Sequence, residues 1–591
     1  MKKTLKIIGI SLASLITVLI ITVFILLWVI VTPDKLTPIV RNQVDKFILC
    51  TTDFDTVDVT FFSTFPHVGL QIKNLALINP MPDAPSDTLA FVEDFKASLN
   101  LKELLFNNTL KVTAVYIRNV EAHLFVDAKG NTNFNIVEID TTEEDTAFEL
   151  PFDLINLHKI RIKNLNADYT DHNSGMFASI NDMSALIKGE LTIEDAWAKL
   201  TMESGNIVFN LNDSTPLAAK LQSFETKIEG EKSGADINGS IRFEMPEVFF
   251  KMDTIVYANA LPVEIDLPFT FNIDHQKITL DDAELALQKI KIFLNGTVQP
   301  SASFSDIGID MAFHTNTWEI PEVIEIIPET YKSMLKDITA TGNLELKGNA
   351  KGTYNDSLMP IITANVFLAD GQFAYKKFAL PFKNISADVL AYLDLNTDSL
   401  SMVNIHSLKA QTGKSVLELS GRIIDLFNKM LFKVNVNSNL ELVELKPVLP
   451  SDMNLIIKGK AKATMNTDFS MNDMQNLDLQ KMKLKGDIRL IDMEAVYNDS
   501  IFVNSPDANL KISSAKTANN KIPDKLFDIE ILSKDMDIEM IDVVDATLKE
   551  VKLKAQVSDF MDTTKPLSAH CDFNFGNLKA AMDTIDAAIS G

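Results

Sequence analysis

The sequence predicts a mainly β protein: an N-terminal transmembrane helix followed by an extended, twisted antiparallel β-groove, built of repeated units with a few short helices. Three observations carry this. Ile7 to Val31 is an uncharged run behind Met1-Lys-Lys-Thr-Leu-Lys6, about 37 Å long as a helix and sufficient to cross a hydrocarbon core of about 30 Å. From about Val57 onward, apolar residues alternate with polar ones at period 2, which gives strands one dry and one wet face. Segments then recur: Leu346-Lys-Gly-Asn-Ala-Lys-Gly-Thr353 matches Ile457-Lys-Gly-Lys-Ala-Lys-Ala-Thr464.

Taken in order, the apolar run is too long for a signal peptide, and no Ala-x-Ala site follows Trp28-Val-Ile-Val-Thr-Pro33. The short, lysine-bearing amino terminus is expected inside, and the body outside. Thr37-Pro38 reads as an N-cap followed by proline at the first helical position, opening a short helix whose stripe is Val40, Val44, Phe47 and Ile48. The cleanest strand is Met482-Lys-Leu-Lys-Gly-Asp-Ile-Arg-Leu490; Phe432–Asn437, Leu440–Leu442, Lys159–Lys163, Lys289–Ile292, Leu344–Leu346 and Val120–Leu124 alternate likewise. Turns are expected at Asp127–Gly130, Asp370-Gly371, Asn295-Gly296 and Ser420-Gly421. Ile237-Asn-Gly-Ser-Ile241, Leu294-Asn-Gly-Thr-Val298 and Leu419-Ser-Gly-Arg-Ile423 form a second recurring element. Short helices are expected within Trp318–Pro328 and Leu442–Pro450. At about 12 residues per strand and turn, the body holds roughly 35–45 strands. The expected divisions are a cytoplasmic tail (1–6), the anchor (7–31), β units at 32–140 and 148–315, and repeat units at 316–440 and 441–591, with acidic Glu138–Asp145 as a boundary.

A chain of 591 residues with 46% hydrophobic content can bury a large core. Its formal charge of −25 repels phosphate backbones, so nucleic acid is excluded as a partner class. Two cysteines, Cys50 and Cys571, provide no disulfide framework or thiolate cluster.

Phe65-Pro-His-Val-Gly-Leu-Gln-Ile-Lys-Asn-Leu75 and Val115-Tyr-Ile-Arg-Asn-Val-Glu-Ala-His-Leu-Phe-Val-Asp-Ala-Lys-Gly-Asn-Thr-Asn-Phe134 resemble the opening of the AsmA family of bacterial envelope proteins. Leu344–Gly348, Asp370–Tyr375 and Leu380-Pro-Phe-Lys-Asn-Ile385 resemble that family's second block. The resemblance implies an inner-membrane anchor, a periplasmic β-groove of the type in TamB-like, YhdP-like and chorein-like bridge proteins, and a link to phospholipid traffic or outer-membrane protein assembly. It also implies a protein partner in the periplasm or outer membrane. The chain departs from the pattern at Asp583–Gly591, where no closing strand is expected.

No sequence signature of catalysis is present. The eight histidines never fall at His-x-x-x-His spacing, and no nucleophile elbow or phosphate loop occurs. His172 reads as a turn residue rather than a metal ligand. Asp127–Asn133 reads as a hairpin turn, because Lys129 and Gly130 stand where a calcium loop has ligands. No cofactor, metal or catalytic residue is therefore assigned. The expected function is lipid transfer along an apolar groove. Its candidate lining residues are Val120, Ala122, Leu124, Ile160, Ile162, Leu344, Leu346, Phe432, Val434, Val436, Met482, Leu484, Ile488 and Leu490. The alternatives are an assembly factor acting by strand addition and an enzyme whose geometry short motifs do not show.

Overall fold

The computed structural model describes residues 33–60, 68–99, 112–136, 158–191, 196–212, 216–301, 303, 305–376, 380–448, 454–476, 478–514, 525–558, 568–582 and 585–590. The expected span at 7–31 and the acidic stretch 138–145 lie outside the described residues. No helix among those described is long and apolar enough to cross a membrane. The chain divides into two compact units: residues 1–288 with 328–330, and residues 289–327 with 331–591.

The first unit is a hydrogen-bonded ladder. β1 (Thr52–Asp53) and β2 (Val57–Thr60) both pair with β3 (Val68–Ile78). Then follow β4 (Thr88–Leu99), β5 (Val112–Val126), β6 (Lys159–Asp171), β7 (Met176–Leu191), β8 (Ala196–Leu211), β9 (Leu217–Ser233), β10 (Asp236–Met252), β11 (Ile255–Asn272) and β12 (Lys277–Leu287). Helix α1 (Pro33–Phe47) lies on the first strands, with Val40 packed on the buried cluster Phe54, Val57 and Ile72. Arg41 stacks 4.3 Å from the Phe54 ring and donates to the Phe54 carbonyl.

The second unit repeats the plan. β13 (Ile290–Pro300), β14 (Ile307–Thr315) and β15 (Trp318–Glu319) precede α2 (Ile320–Ile326), after which β14 and β15 pair with β16 (Ile338–Tyr354). The ladder continues antiparallel through β17 (Ile361–Tyr375), β18 (Phe382–Leu393), β19 (Met402–Thr412), β20 (Ser415–Ile424), β21 (Leu431–Glu441), β22 (Leu455–Ser470), β23 (Lys483–Tyr497), β24 (Ile501–Ser513), β25 (Lys525–Met540) and β26 (Val544–Ser558). β27 (Ala569–Asn574) and β28 (Asn577–Met582) both pair with β26, and β29 (Ile585–Ser590) pairs with β28. A 3-10 turn spans Leu442–Val448; with α2, it falls within the two expected helical stretches.

Within each unit, the strand-to-strand contacts of the described residues run between ladder neighbours, so each unit grows strand by strand.

Several expectations are corrected. The pairing is not wholly antiparallel: β5 and β6 run parallel, Tyr116 opposite Arg161, and the connection from Val126 to Lys159 has the length that a parallel crossover requires. Thr37 is not an N-cap. The helix opens at Pro33, Pro38 lies inside it with the loss of one intrahelical hydrogen bond, and the Thr37 hydroxyl accepts from the Val57 N–H at 3.1 Å. Asp370-Gly371, Asn295-Gly296 and Ser420-Gly421 lie inside β17, β13 and β20 rather than at turns. Ile585–Ser590 does form a strand, too short and alanine-rich to show alternation. There are 29 strands among the described residues, up to 18 residues long in β11. They outrun the expected length because phase breaks in the sequence occur within strands.

Candidate functional site: an uncovered apolar sheet face

Residues directly opposite one another in a ladder share a face. In the first unit, Ile160 faces Ile187, and the row continues through Leu200, Ile228, Ile241 and Leu267. Ile162 faces Ala185, while Val120, Ala122 and Leu124 face Leu165, Ala167 and Tyr169. The five candidates of this unit thus stand on the face on which α1 packs.

In the second unit, Leu346 begins a row through Val366, Val389, Ile405, Gly421, Val434, Thr467 and Leu484. Leu344 begins the adjacent row through Leu368, Ala387, Leu408, Leu419, Val436 and Met465. Ile488 lies between Ala463 and Leu510, and Leu490 between Ala461 and Ala508. Phe432 stacks on Phe469 at 4.9 Å. Met482 stands one residue ahead of β23, outside the ladder.

Among the described residues, α1 packs on this face in the first unit, and in the second unit α2 lies against β15 and β16 and the 3-10 turn against β22. Most large side chains of the rows are half-buried, shielded by neighbours on the same face; on β22 and β24 the buried positions are small, Ala461, Ala463 and Ala508, while Met536, Leu548 and Val551 form a buried cluster on β25 and β26. The accessible surface of 36929 Å² compares with about 21,000 Å² for a compact chain of this mass. A large apolar area therefore stays in contact with solvent, where it can receive apolar ligand groups at about 25 cal/mol per Å².

The opposite face is charged. Lys199 pairs with Glu229 at 2.9 Å, Lys351 with Asp310 at 2.7 Å, and Arg489 forks onto Asp507 at 3.0 Å. The Arg489 guanidinium holds the Asp507 carboxyl below the usual carboxylate range. Such exposed pairs contribute about 0–1 kcal/mol each and serve mainly to keep that face wet.

Sequence reading missed a feature that keeps the apolar side chains on one face. In successive strands of the first unit, inward residues slip from a spacing of two to three: Ile72/Leu75, Ile117/Val120, Ile162/Leu165, Ile180/Met183, Leu221/Phe224 and Met245/Val248. At five of these slips a left-handed residue takes up the extra position: Asn74, Asn119, Asn164, Asp182 and Ser223, with φ of 53°, 53°, 56°, 53° and 56°. These are β-bulges, which bend the strand and re-aim its side chains. Asn119 donates to Glu93 at 2.5 Å and Asn164 to Asn119 at 2.9 Å, linking three bulges side by side. The second unit repeats the device at Asn384, Asp492 and Glu550. The visible signal was a tetrad: Ile72-Lys-Asn-Leu75, Ile117-Arg-Asn-Val120, Ile162-Lys-Asn-Leu165 and Phe382-Lys-Asn-Ile385.

One glycine from each recurring element, Gly239 of the Asn/Ser-Gly element and Gly348 of the Lys-Gly repeat, also has a place in the strands. A Cβ at Gly239 would stand 2.3 Å from the Glu229 carbonyl and 2.9 Å from the Phe269 ring; one at Gly348 would stand 2.1 Å from the Thr363 carbonyl and 2.7 Å from Phe313. Each glycine lies under the ring of its cross-strand partner.

The segment after β5 shows a structural role for its motif. Asp127 accepts from the N–H groups of Lys129 and Asn131, and Gly130 takes φ +86°. The Asn131 side chain donates to Asp127 and, with these backbone donors, holds its carboxyl below the usual range. Buried Asn133 accepts from the Phe125 N–H at 2.7 Å and donates to the His123 carbonyl at 2.8 Å, extending the ladder with a side chain. His172 packs edge-on against Phe125 at 5.0 Å. Among the described residues, no group of three or more His, Cys, Asp or Glu side chains is placed to hold a metal ion.

Compared with known proteins, the chain matches no curated protein and no solved structure. The AsmA family model matches residues 1–239, which include α1, β1 to β9, the first three tetrads and the Asp127–Asn133 turn. Over those residues the chain is similar to the AsmA family, as its opening motifs imply.

Proposed function

We propose that this protein carries lipid acyl chains on its apolar sheet face, from a membrane in which residues 7–31 anchor it toward a second membrane. The observation that carries the reading is the continuity of apolar rows across successive strands, whose large side chains stay only half-buried. Two acyl chains of about 16 carbons lose on the order of 24 kcal/mol on entering water, at about 0.8 kcal/mol per methylene, so a carrier needs an unbroken apolar path. A strand-addition scaffold would instead have a filled core and offer its edges. The AsmA-family region supports an envelope setting, and the reading assigns the chain no catalytic chemistry.

Native mass spectrometry of the detergent-released chain is the direct test. Copurified diacyl lipid that survives mild activation is expected. A protein that is lipid-free when released from membranes, and that takes up no lipid when mixed with vesicles, would refute the reading.

A further inference from the structure

The polar face of the first unit carries a patch whose charge opposes that of the whole chain. A cavity of about 190 Å³ is lined by Asp94, Lys96, Tyr116, Ile117, Arg118, Arg161 and Lys163. The register places these cations together: Lys96 opposite Tyr116, Tyr116 opposite Arg161, and Arg118 opposite Lys163. One step along, Lys159 stands opposite Lys188 and lies over the Tyr116 ring at 5.4 Å. The acids that face the cluster are Asp94, 3.3 Å from both Lys96 and Arg118, and Glu93, 3.9 Å from Arg118; Glu190 stands near Lys188, opposite Trp197. Among the described residues, Arg161, Lys163 and Lys188 form no ion pair. Three apolar or amphipathic side chains share the patch: Tyr116, Leu186 opposite Arg161, and Trp197, which is 43% exposed on a face otherwise made of charges.

A protein with a formal charge of −25 is repelled by anionic bilayers, and a cluster of Lys and Arg edged by exposed Trp and Tyr is the composition that reverses this locally. All these residues lie on β4 to β8, in the unit that begins with the apolar run at 7–31. We infer that this patch docks the first unit onto the phosphate headgroups of an anionic bilayer, the membrane that holds its own N-terminal run. The strands β4 to β8 cover about 19 Å at about 4.7 Å per step, room for several headgroups. The inference does not depend on what occupies the apolar face.

Lysine acylation of the full chain, read by mass spectrometry, tests it in lipid nanodiscs of phosphatidylcholine with or without about 30% phosphatidylglycerol. Acylation of Lys159, Lys163 and Lys188 is expected to slow severalfold in the anionic discs, while Lys351 in the second unit keeps its rate. The protection should vanish in about 1 M salt, where the screening length is about 3 Å. Arg161→Glu with Lys163→Glu should abolish protection at Lys188. If that variant misfolds, the salt titration of the unaltered chain decides. Equal rates in both discs, or protection that persists at high salt, would overturn the proposal. So would equal protection in phosphatidylcholine discs by free glycerol phosphate, which marks a soluble-phosphate site, or by an acidic polypeptide, which marks a protein dock.

Discussion

Glu444 shows how much one side chain can hold where a sheet has no packed core. Its carboxylate accepts from the N–H groups of Lys414 and Ser415 at 2.8 and 3.1 Å and from the Ser415 hydroxyl at 2.6 Å, tying the 3-10 turn after β21 to the β19–β20 hairpin. Burial pushes its pKa up, but these hydrogen bonds outweigh burial, and it titrates below the usual carboxylate range. A group with a depressed folded pKa stabilises above its unfolded pKa, and that contribution is lost as pH falls through the folded value. Glu444→Gln should therefore cost about 1–2 kcal/mol at neutral pH, and the gap from the parent should close as pH drops below about 4. Thermal unfolding across pH checks this; a gap that stays constant would contradict it. Nothing in Val443-Glu-Leu445 marked this role, because its partners lie some 30 residues away.

The strands were legible where alternation was unbroken, and the same signal misled where it broke. Lys483–Leu490 alternates cleanly, and its even positions do face inward; beyond it Asp492, at φ +49°, shifts the inward set to Met493 and Ala495. Read by eye, such a slip ends a strand; Asp370-Gly371 reads as a turn from its Asp-Gly pair, yet Asp370, at φ +52°, lies inside β17. In the ladder the strand continues, because Asn and Asp tolerate left-handed backbone that β-branched residues do not. Asn119→Val and Asn164→Val should each destabilise the first unit by about 1–2 kcal/mol, while Asn119→Gly should be nearly neutral, apart from the lost hydrogen bond to Glu93. Denaturant unfolding distinguishes these; equal effects of Val and Gly would show that the left-handed position is not the constraint. The parallel β5–β6 pair was hidden for another reason: period 2 reports faces, not strand direction.

In the second unit, the apolar rows place Leu484, Ile488 and Leu490 on one side and Lys485, Asp487 and Arg489 on the other. Ile488→Asp would set a carboxylate between Ala463 and Leu510, and a charge there interrupts any acyl path. Arg489→Ala removes only an exposed pair with Asp507, worth at most about 1 kcal/mol. Ile488→Asp is expected to fold to near-normal abundance, because no second layer closes over it, and to lose photo-crosslinking of lipid at Leu484. Arg489→Ala should keep both. A folded Ile488→Asp protein that still crosslinks lipid would show that acyl chains do not follow this face, whereas its unfolding would point to a closed core.

The line of bulges has one further consequence. A one-layer ladder has fewer interlocking core contacts to tell each strand where to stop sliding, and slippage by two residues would keep every apolar side chain on its proper side. Left-handed Asn119 and Asn164, joined side chain to side chain, can meet only in a single alignment. They act as a key in a keyway: a strand added two residues out of place finds its bend opposite a straight neighbour and is rejected, so the ladder can be assembled hairpin by hairpin and proofread as it grows.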